Sequence, residues 1–139
     1  MVRFSDIDLI KELRQNARMS YVDLAKIFNV TETAIRKRVH SLEGKGIIKG
    51  YTINVDYKKL GYDVNAIIGI DTLPDKLLNL TNEIKNDESI CVYSSSGDHM
   101  LMVEKCFKNY EELREYVKKL EQTKGITKVC PAIIVEKIK

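Results

Sequence analysis

The chain has 139 residues, of which 44% are hydrophobic and 31% are charged, and it contains only 2 prolines and 7 glycines. This composition excludes a disordered or fibrous protein, and no apolar run approaches the roughly 18 to 20 residues that cross a bilayer. The N-terminus lacks the basic and apolar blocks of a signal peptide. We therefore expect a cytoplasmic protein with no membrane partner.

The formal net charge of +3 is unevenly spread along the chain. Residues 1–50 carry 10 Lys and Arg against 6 Asp and Glu, whereas residues 51–139 carry 13 against 14. A basic first third joined to a neutral remainder is typical of a phosphate-binding module attached to a module with a different partner.

Two short helices are predicted first. Ser5 is a favourable N-cap for a helix that runs to about Asn16. Ser20 is a second N-cap, with Asp23 at the capping-box position, for a helix that ends near Asn29. Asparagine tolerates the left-handed backbone conformation of a tight turn, so the chain is expected to turn there.

A third helix is predicted between its N-cap, Thr31, and the glycines Gly44 and Gly46. Its apolar residues recur at i, i+4 and i+7 and define a core-facing side, while polar and basic residues occupy the other faces. The apolar set is Ile35, Val39 and Leu42, and the polar set is Thr33, Arg36, Lys37 and His40.

The short break between the second and third helices matches a helix-turn-helix, in which the second helix enters the major groove of duplex DNA. Thr33 and Arg36 are then placed to contact base edges, and Lys37, Arg38 and Lys45 to contact phosphates. The alternative is that the basic triplet is only a solvated helix face. Its place in a correctly spaced helix pair, within the net-basic third, favours DNA contact. The remaining predicted contacts are Ser20, Tyr21, Thr31 and His40.

The second part of the chain changes to a different pattern. Residues 47–55 are rich in β-branched and aromatic residues and are predicted to form a strand, followed by a hinge at 57–62. From residue 63 onward the order is strand, helix, strand, strand, helix, strand, which is the ferredoxin-like arrangement. The predicted strands cover residues 65–72, 89–95, 99–107 and 129–138, with helices opening at Pro74 and after Asn109. The fold class is α+β, with domains at 1–50 and 63–139 joined by a connection at 51–62.

No catalytic set, metal site or cofactor motif is found. The only histidines, His40 and His99, lie in no triad, metal or nucleotide motif. Cys91, Cys106 and Cys130 are far apart and favour buried hydrophobic positions over zinc ligation. We therefore expect a protein that is not an enzyme. An architectural DNA-binding protein without a ligand remains an alternative, and RNA binding is disfavoured because stacking aromatic residues are missing from the predicted sheet.

Two stretches resemble the Lrp/AsnC, or feast/famine, family of bacterial and archaeal regulators. They are DIDLIKELRQNARMSYVDLAKIFNVTETAIRKRVHSLEGKGIIKGYTINVDYKKLG, at residues 6–61, and SSSGDHMLMVEKC, at residues 94–106. The resemblance implies a winged helix-turn-helix domain and a βαββαβ domain called RAM, for oligomerisation and effector sensing. It also implies a homodimer or higher homo-oligomer whose DNA affinity responds to an amino acid.

The resemblance places an effector loop at Ser96, Gly97, Asp98, His99 and Met100. Family members commonly have Gly-Asp-Tyr-Asp here, with the last aspartate holding the effector's amino group, and this chain lacks that carboxylate. A purely structural turn is the alternative for the loop.

Abundant Lys and Glu, with no Trp and little Gln, indicate a thermophilic archaeal source.

Overall fold

A computed structural model describes residues 4–139, and these residues form two compact units. The first unit ends at Asn54 and the second begins at Val55. None of the helices in the described range is long and apolar enough to cross a membrane.

The first unit contains three helices, α1 (Asp6–Gln15), α2 (Tyr21–Phe28) and α3 (Glu32–Gly44). Each begins at its predicted cap, because the side-chain oxygen of the capping residue accepts a hydrogen bond from a backbone N–H in the first turn. The helices enclose one apolar core. The caps are Ser5, Ser20 and Thr31, and the fully buried core side chains are Leu9, Leu24, Ile35, Val39 and Leu42.

The predicted strand at residues 47–55 is wrong. Residues 49–56 have no regular structure, and the described part of the first unit contains no strand, so the wing implied by the resemblance is not formed by paired strands. A strand needs a neighbouring strand to pair its backbone N–H and C=O groups, and none of the four described strands pairs with this segment. Its side chains are correspondingly exposed, with Ile53 at 78%. A short 3₁₀ helix follows at Tyr57–Leu60 and ends at Gly61, within the predicted hinge.

The second unit has the predicted element order. Its strands form one sheet in the order β2-β3-β1-β4, and all neighbouring strands are antiparallel, which confirms the ferredoxin-like arrangement. The elements are β1 (Val64–Thr72), a 3₁₀ turn (Pro74–Lys76), α4 (Leu77–Lys85), β2 (Cys91–Ser94), β3 (Leu101–Phe107), α5 (Tyr110–Glu121) and β4 (Ile126–Ile133).

Several strand ends differ from the prediction. β1 begins one residue early, β2 covers Cys91–Ser94 rather than 89–95, and β4 begins at Ile126 rather than at residue 129. β3 begins at Leu101 rather than at residue 99, because His99 belongs to the loop before it. β4 ends at Ile133 rather than at residue 138. The last hydrogen bond to β1 runs from the Ile134 N–H to the Asn65 carbonyl, beyond which β1 offers no partner. Val135 is therefore 97% exposed.

The two faces of the sheet have different environments. Val64, Ala66, Ile68 and Ile70 of β1 are buried against side chains of α4 and α5 in one core. The alternate residues of β1 face the other way, together with the residues directly opposite them on β3 and β4. By this register all three cysteines lie on that second face, which we call the open face. They are unpaired and only partly buried, so full burial was a wrong prediction.

Candidate nucleic-acid interface

The helix pair α2 and α3 presents one side of α3 to solvent. Asn29, Val30 and Thr31 separate the helices, and Asn29 adopts the predicted left-handed conformation, with φ 51°. This turn lets Val39 and its neighbours on α3 enter the core while Thr33, on another face, stays exposed. The exposed side is available to a large flat or grooved partner.

Arg36 is held in place by two neighbours on the surface of this unit. Its guanidinium lies 2.5 Å from the Glu32 carboxylate, one turn earlier on α3. It also lies 5.2 Å from the centre of the Tyr21 ring, at the start of α2. An arginine stacked on an aromatic ring keeps a preferred direction at a small cost in entropy. Glu32 was not among the predicted site residues, because a carboxylate is not expected beside phosphates.

The other basic residues divide into two groups. Lys37 and Lys45 are exposed and form no ion pair with any described residue, so both charges are available to an anion. Arg38 behaves differently. Its guanidinium bonds to the Asp6 carboxylate at 2.9 Å and lies 4.7 Å from the centre of the Phe4 ring. Arg38 thus makes its contacts inside the unit, although the sequence placed it in the same basic triplet.

The capping hydroxyls are already engaged. Ser20 Oγ accepts from the Asp23 N–H at 3.1 Å, and Thr31 Oγ1 accepts from the Ala34 N–H at 3.1 Å. These two residues therefore set where α2 and α3 begin. Thr33 and His40 lie further along α3 and are exposed.

A groove of about 510 Å³ brings three of the predicted residues together. Ser20, Tyr21 and His40 line it, together with Glu43 and Tyr51. Burial, followed by the nearby Glu43 charge, raises the pKa of the Tyr51 hydroxyl, which therefore stays protonated and able to donate a hydrogen bond. Tyr51 was not among the predicted site residues, because its β-branched and aromatic neighbours indicated a strand.

The predicted effector residues share one loop in the second unit, the β2–β3 loop (residues 95–100), but they face two ways. Ser96, Gly97 and Asp98 are exposed, and Gly97 has φ 119°, a conformation that favours glycine. His99 and Met100 turn back towards β1, where both contact the Asp71 carboxylate. Asp71 was also missed, because a lone carboxylate at a strand end carries no pattern.

No group of three or more His, Cys, Asp or Glu side chains between residues 4 and 139 is arranged to hold a metal ion.

Comparison with known proteins gives consistent matches. Residues 5–43 match the AsnC-type helix-turn-helix domain. The HTH-type transcriptional regulator LrpA of Pyrococcus abyssi is 45% identical and is covered, like this chain, over its full length. LrpA1 of Halobacterium salinarum is 32% identical, with 94% of each chain covered. The relatives are archaeal regulators, in agreement with the archaeal source that the composition indicates.

Solved structures show the same fold. E. coli AsnC is similar with a TM-score of 0.81 at 26% identity, covering 100% of this chain and 95% of that one. A feast or famine regulatory protein from M. tuberculosis, complexed with L-methionine, has a TM-score of 0.81 at 22% identity, covering 99% and 95%.

Proposed function

Since the chain belongs to the Lrp/AsnC family of transcriptional regulators, we propose that it binds specific sites on duplex DNA as a homodimer, through α3 and the residues around it. Residues 1–50 bind DNA, residues 51–62 connect, and residues 63–139 associate and sense a small metabolite. The relatives are named as regulators and not as enzymes, which supports a role in gene control.

The exposed side of α3 is the observation that carries the proposal. Arg36 projects from it and is oriented by Tyr21, so its planar guanidinium is preorganised for bidentate bonding to guanine O6 and N7. Lys37 and Lys45 supply unpaired positive charge for phosphates. Thr33 and His40 extend the same surface, and Ser20, Tyr21 and Thr31 fix the start of each helix beside it. Arg38 contributes less, because it is half-buried against Asp6 and Phe4, whereas Arg36 stays exposed beside Glu32.

A second copy of the chain would cover two apolar surfaces of this one. Ile47, Tyr51 and Ile53 are exposed in the segment 47–55. The open face of the sheet carries Ile67, Met102 and Cys130. Exposed apolar surface favours association. A two-fold dimer would set two α3 helices into successive major grooves, about 34 to 36 Å apart or at a multiple of that distance.

The β2–β3 loop is the proposed place of effector binding. Its exposed tip, Ser96 to Asp98, offers backbone and carboxylate groups to a small polar molecule. The L-methionine complex of the M. tuberculosis relative supports an amino acid as the ligand class. In a thermal-shift screen, at least one amino acid should raise the melting temperature of the protein, as expected for a ligand that binds only the folded state. If none does, the effector role fails.

DNA selection from a random pool tests the DNA-binding proposal. The parent protein should enrich a two-fold related site, and Arg36→Ala should relax the preference at one base pair per half-site, costing about 1–3 kcal/mol of discrimination. Lys37→Ala is the matched control, because it should weaken binding to all sequences and reduce the salt dependence by about one unit of slope for each phosphate that Lys37 neutralises. An Arg36→Ala protein that selects the same sites with unchanged affinity would contradict the assignment.

The architectural alternative is not favoured, because full-length relatives are transcriptional regulators. The same selection separates the two functions. A regulator should prefer its site over random duplex by roughly 10³-fold or more, and an architectural protein by far less.

A further inference from the structure

Three residues set how the β2–β3 loop is attached to the central strand β1. We propose that Asp71, Gly69 and His99 are positioning residues that hold this loop in one conformation against β1 in the ligand-free protein. The relevance of this positioning to ligand binding rests on the proposed effector role of the loop. The positioning itself does not.

Asp71 bonds the loop through both of its carboxylate oxygens. Oδ2 lies 3.0 Å from Nδ1 of His99, and Oδ1 accepts from the Met100 backbone N–H at 3.0 Å. The two side chains of the pair are only 21% and 19% exposed, so water competes weakly for these bonds. The hydrogen bond from His99 holds the pKa of Asp71 below its usual value, so the carboxylate stays ionised.

Gly69 makes room for the His99 ring. A Cβ atom added to Gly69 would overlap Cδ2 of the ring and would lie 2.5 Å from Cγ and 2.8 Å from Nε2. Real Cβ atoms do not approach so closely, so the ring occupies space that only glycine leaves open. Both strands beside β1 frame this position, since Met102 and Cys130 are directly opposite Gly69.

The base of the loop is closed by its own backbone as well. The Ser95 N–H donates to the Met100 carbonyl at 2.9 Å, and Ser95 Oγ donates to the His99 carbonyl at 2.6 Å. The loop therefore has a base fixed at residues 95, 99 and 100 and a tip, Ser96 to Asp98, that is exposed. A fixed base presents the tip in one orientation, which lowers the entropic cost of binding a ligand there.

The attachment is to the middle of the sheet and not to an edge. β1 pairs with both β3 and β4, and Asp71 lies where the pairing with β4 shifts register, opposite Lys128. The loop is thus connected, through two side chains, to the strand that supplies Val64, Ala66, Ile68 and Ile70 to the core of this unit.

Hydrogen exchange of the full-length protein tests the positioning role. We compare Gly69→Ala, which displaces the ring without removing a bonding group, and Asp71→Ala, which removes both bonds. Each should speed amide exchange at Met100 by roughly tenfold or more, as expected when a local opening becomes easier. The Leu101–Phe107 strand beyond the loop should keep its protection. Asp98→Ala is the control, since it removes an exposed carboxylate of the same loop without touching β1.

Unchanged exchange at Met100 in Asp71→Ala would overturn the proposal. If Gly69→Ala fails to fold, His99→Ala replaces it, because the alanine methyl group has no hydrogen-bond donor for Asp71 and adds nothing against Gly69. Parent-like exchange in that variant would be equally decisive. The exchange experiment contains no ligand. With L-methionine as the probe, failure to bind either parent or variant would therefore count against the effector role alone.

Discussion

Arg36 and Arg38 are two residues apart on α3, yet they have different surroundings and different contacts. Arg36 is exposed beside Glu32 and Tyr21, whereas Arg38 is half-buried against Asp6 and Phe4. Two positions along a helix correspond to a rotation of about 200°, so the first and last residues of a basic triplet need not lie on the same face. The charge of a residue is visible in the sequence, but the partner that neutralises it is not.

Glu32 gives a prediction about DNA affinity and selectivity. Its carboxylate lies on the surface proposed to face DNA, where it repels phosphates and pairs with Arg36. Glu32→Gln should raise affinity for random duplex by about three- to tenfold, more than for the selected site, and so lower selectivity. Fluorescence anisotropy on both duplexes measures this. Glu121→Gln, an exposed carboxylate on α5, is the charge-matched control. Equal changes in the two variants would show that net charge alone is responsible.

Among the elements, the helices were predicted better than the strands. A helix carries its own start signal, and Ser5, Ser20, Thr31 and Asn109 all cap as expected because the bonds they make are local. A strand depends on a partner elsewhere in the chain. The segment 47–55 was therefore predicted as a strand from its composition but does not form one, and β4 ends opposite the start of β1. The same distinction applies to the candidate site. The α3 residues follow from helical spacing, whereas Asp71 and Tyr51 meet their partners only through the tertiary fold.

Asp87 gives a prediction about how elements are joined. It accepts from the Ser89 N–H at 2.7 Å, the Tyr116 hydroxyl at 3.1 Å and Lys105 Nζ at 3.4 Å, and so links the α4–β2 connection to α5 and β3. Burial opposes its ionisation, but the bonds from Ser89 and the Lys105 charge hold its pKa below the usual value.

A carboxylate with a lowered folded-state pKa contributes stability that is fully present above the unfolded pKa of about 3.9 and is lost as the pH falls through the folded value. The second unit should therefore lose stability below about pH 4, and Asp87→Asn should lose less over the same interval. At neutral pH the variant should be less stable by about 1–3 kcal/mol. Urea unfolding at several pH values measures both, with Asp98→Asn as the control. A parallel pH dependence in Asp87→Asn and the parent would exclude Asp87 as the responsible group.

For the whole molecule, composition and the proposed association lead to two expectations about heat stability. A chain rich in Lys and Glu and related to archaeal regulators should melt above the roughly 45–65 °C of mesophile domains. If the protein is a homodimer, its melting temperature should also rise with protein concentration. Calorimetry at two concentrations tests both. A concentration-independent transition, together with a monomer mass in solution, would contradict the dimer.

The strand order has a consequence for the time course of folding. In the first unit, the three helices follow one another between Asp6 and Gly44, so its contacts span fewer residues than the β1–β4 pairs of the sheet. In the second, the central strand β1 pairs with β3 and with β4, and both are synthesised after it. Nascent chains should thus acquire a formed helical unit while β1 still lacks its neighbours, and contact order predicts slower formation of the sheet. A chaperone that assists folding should therefore act while β1 is still unpaired.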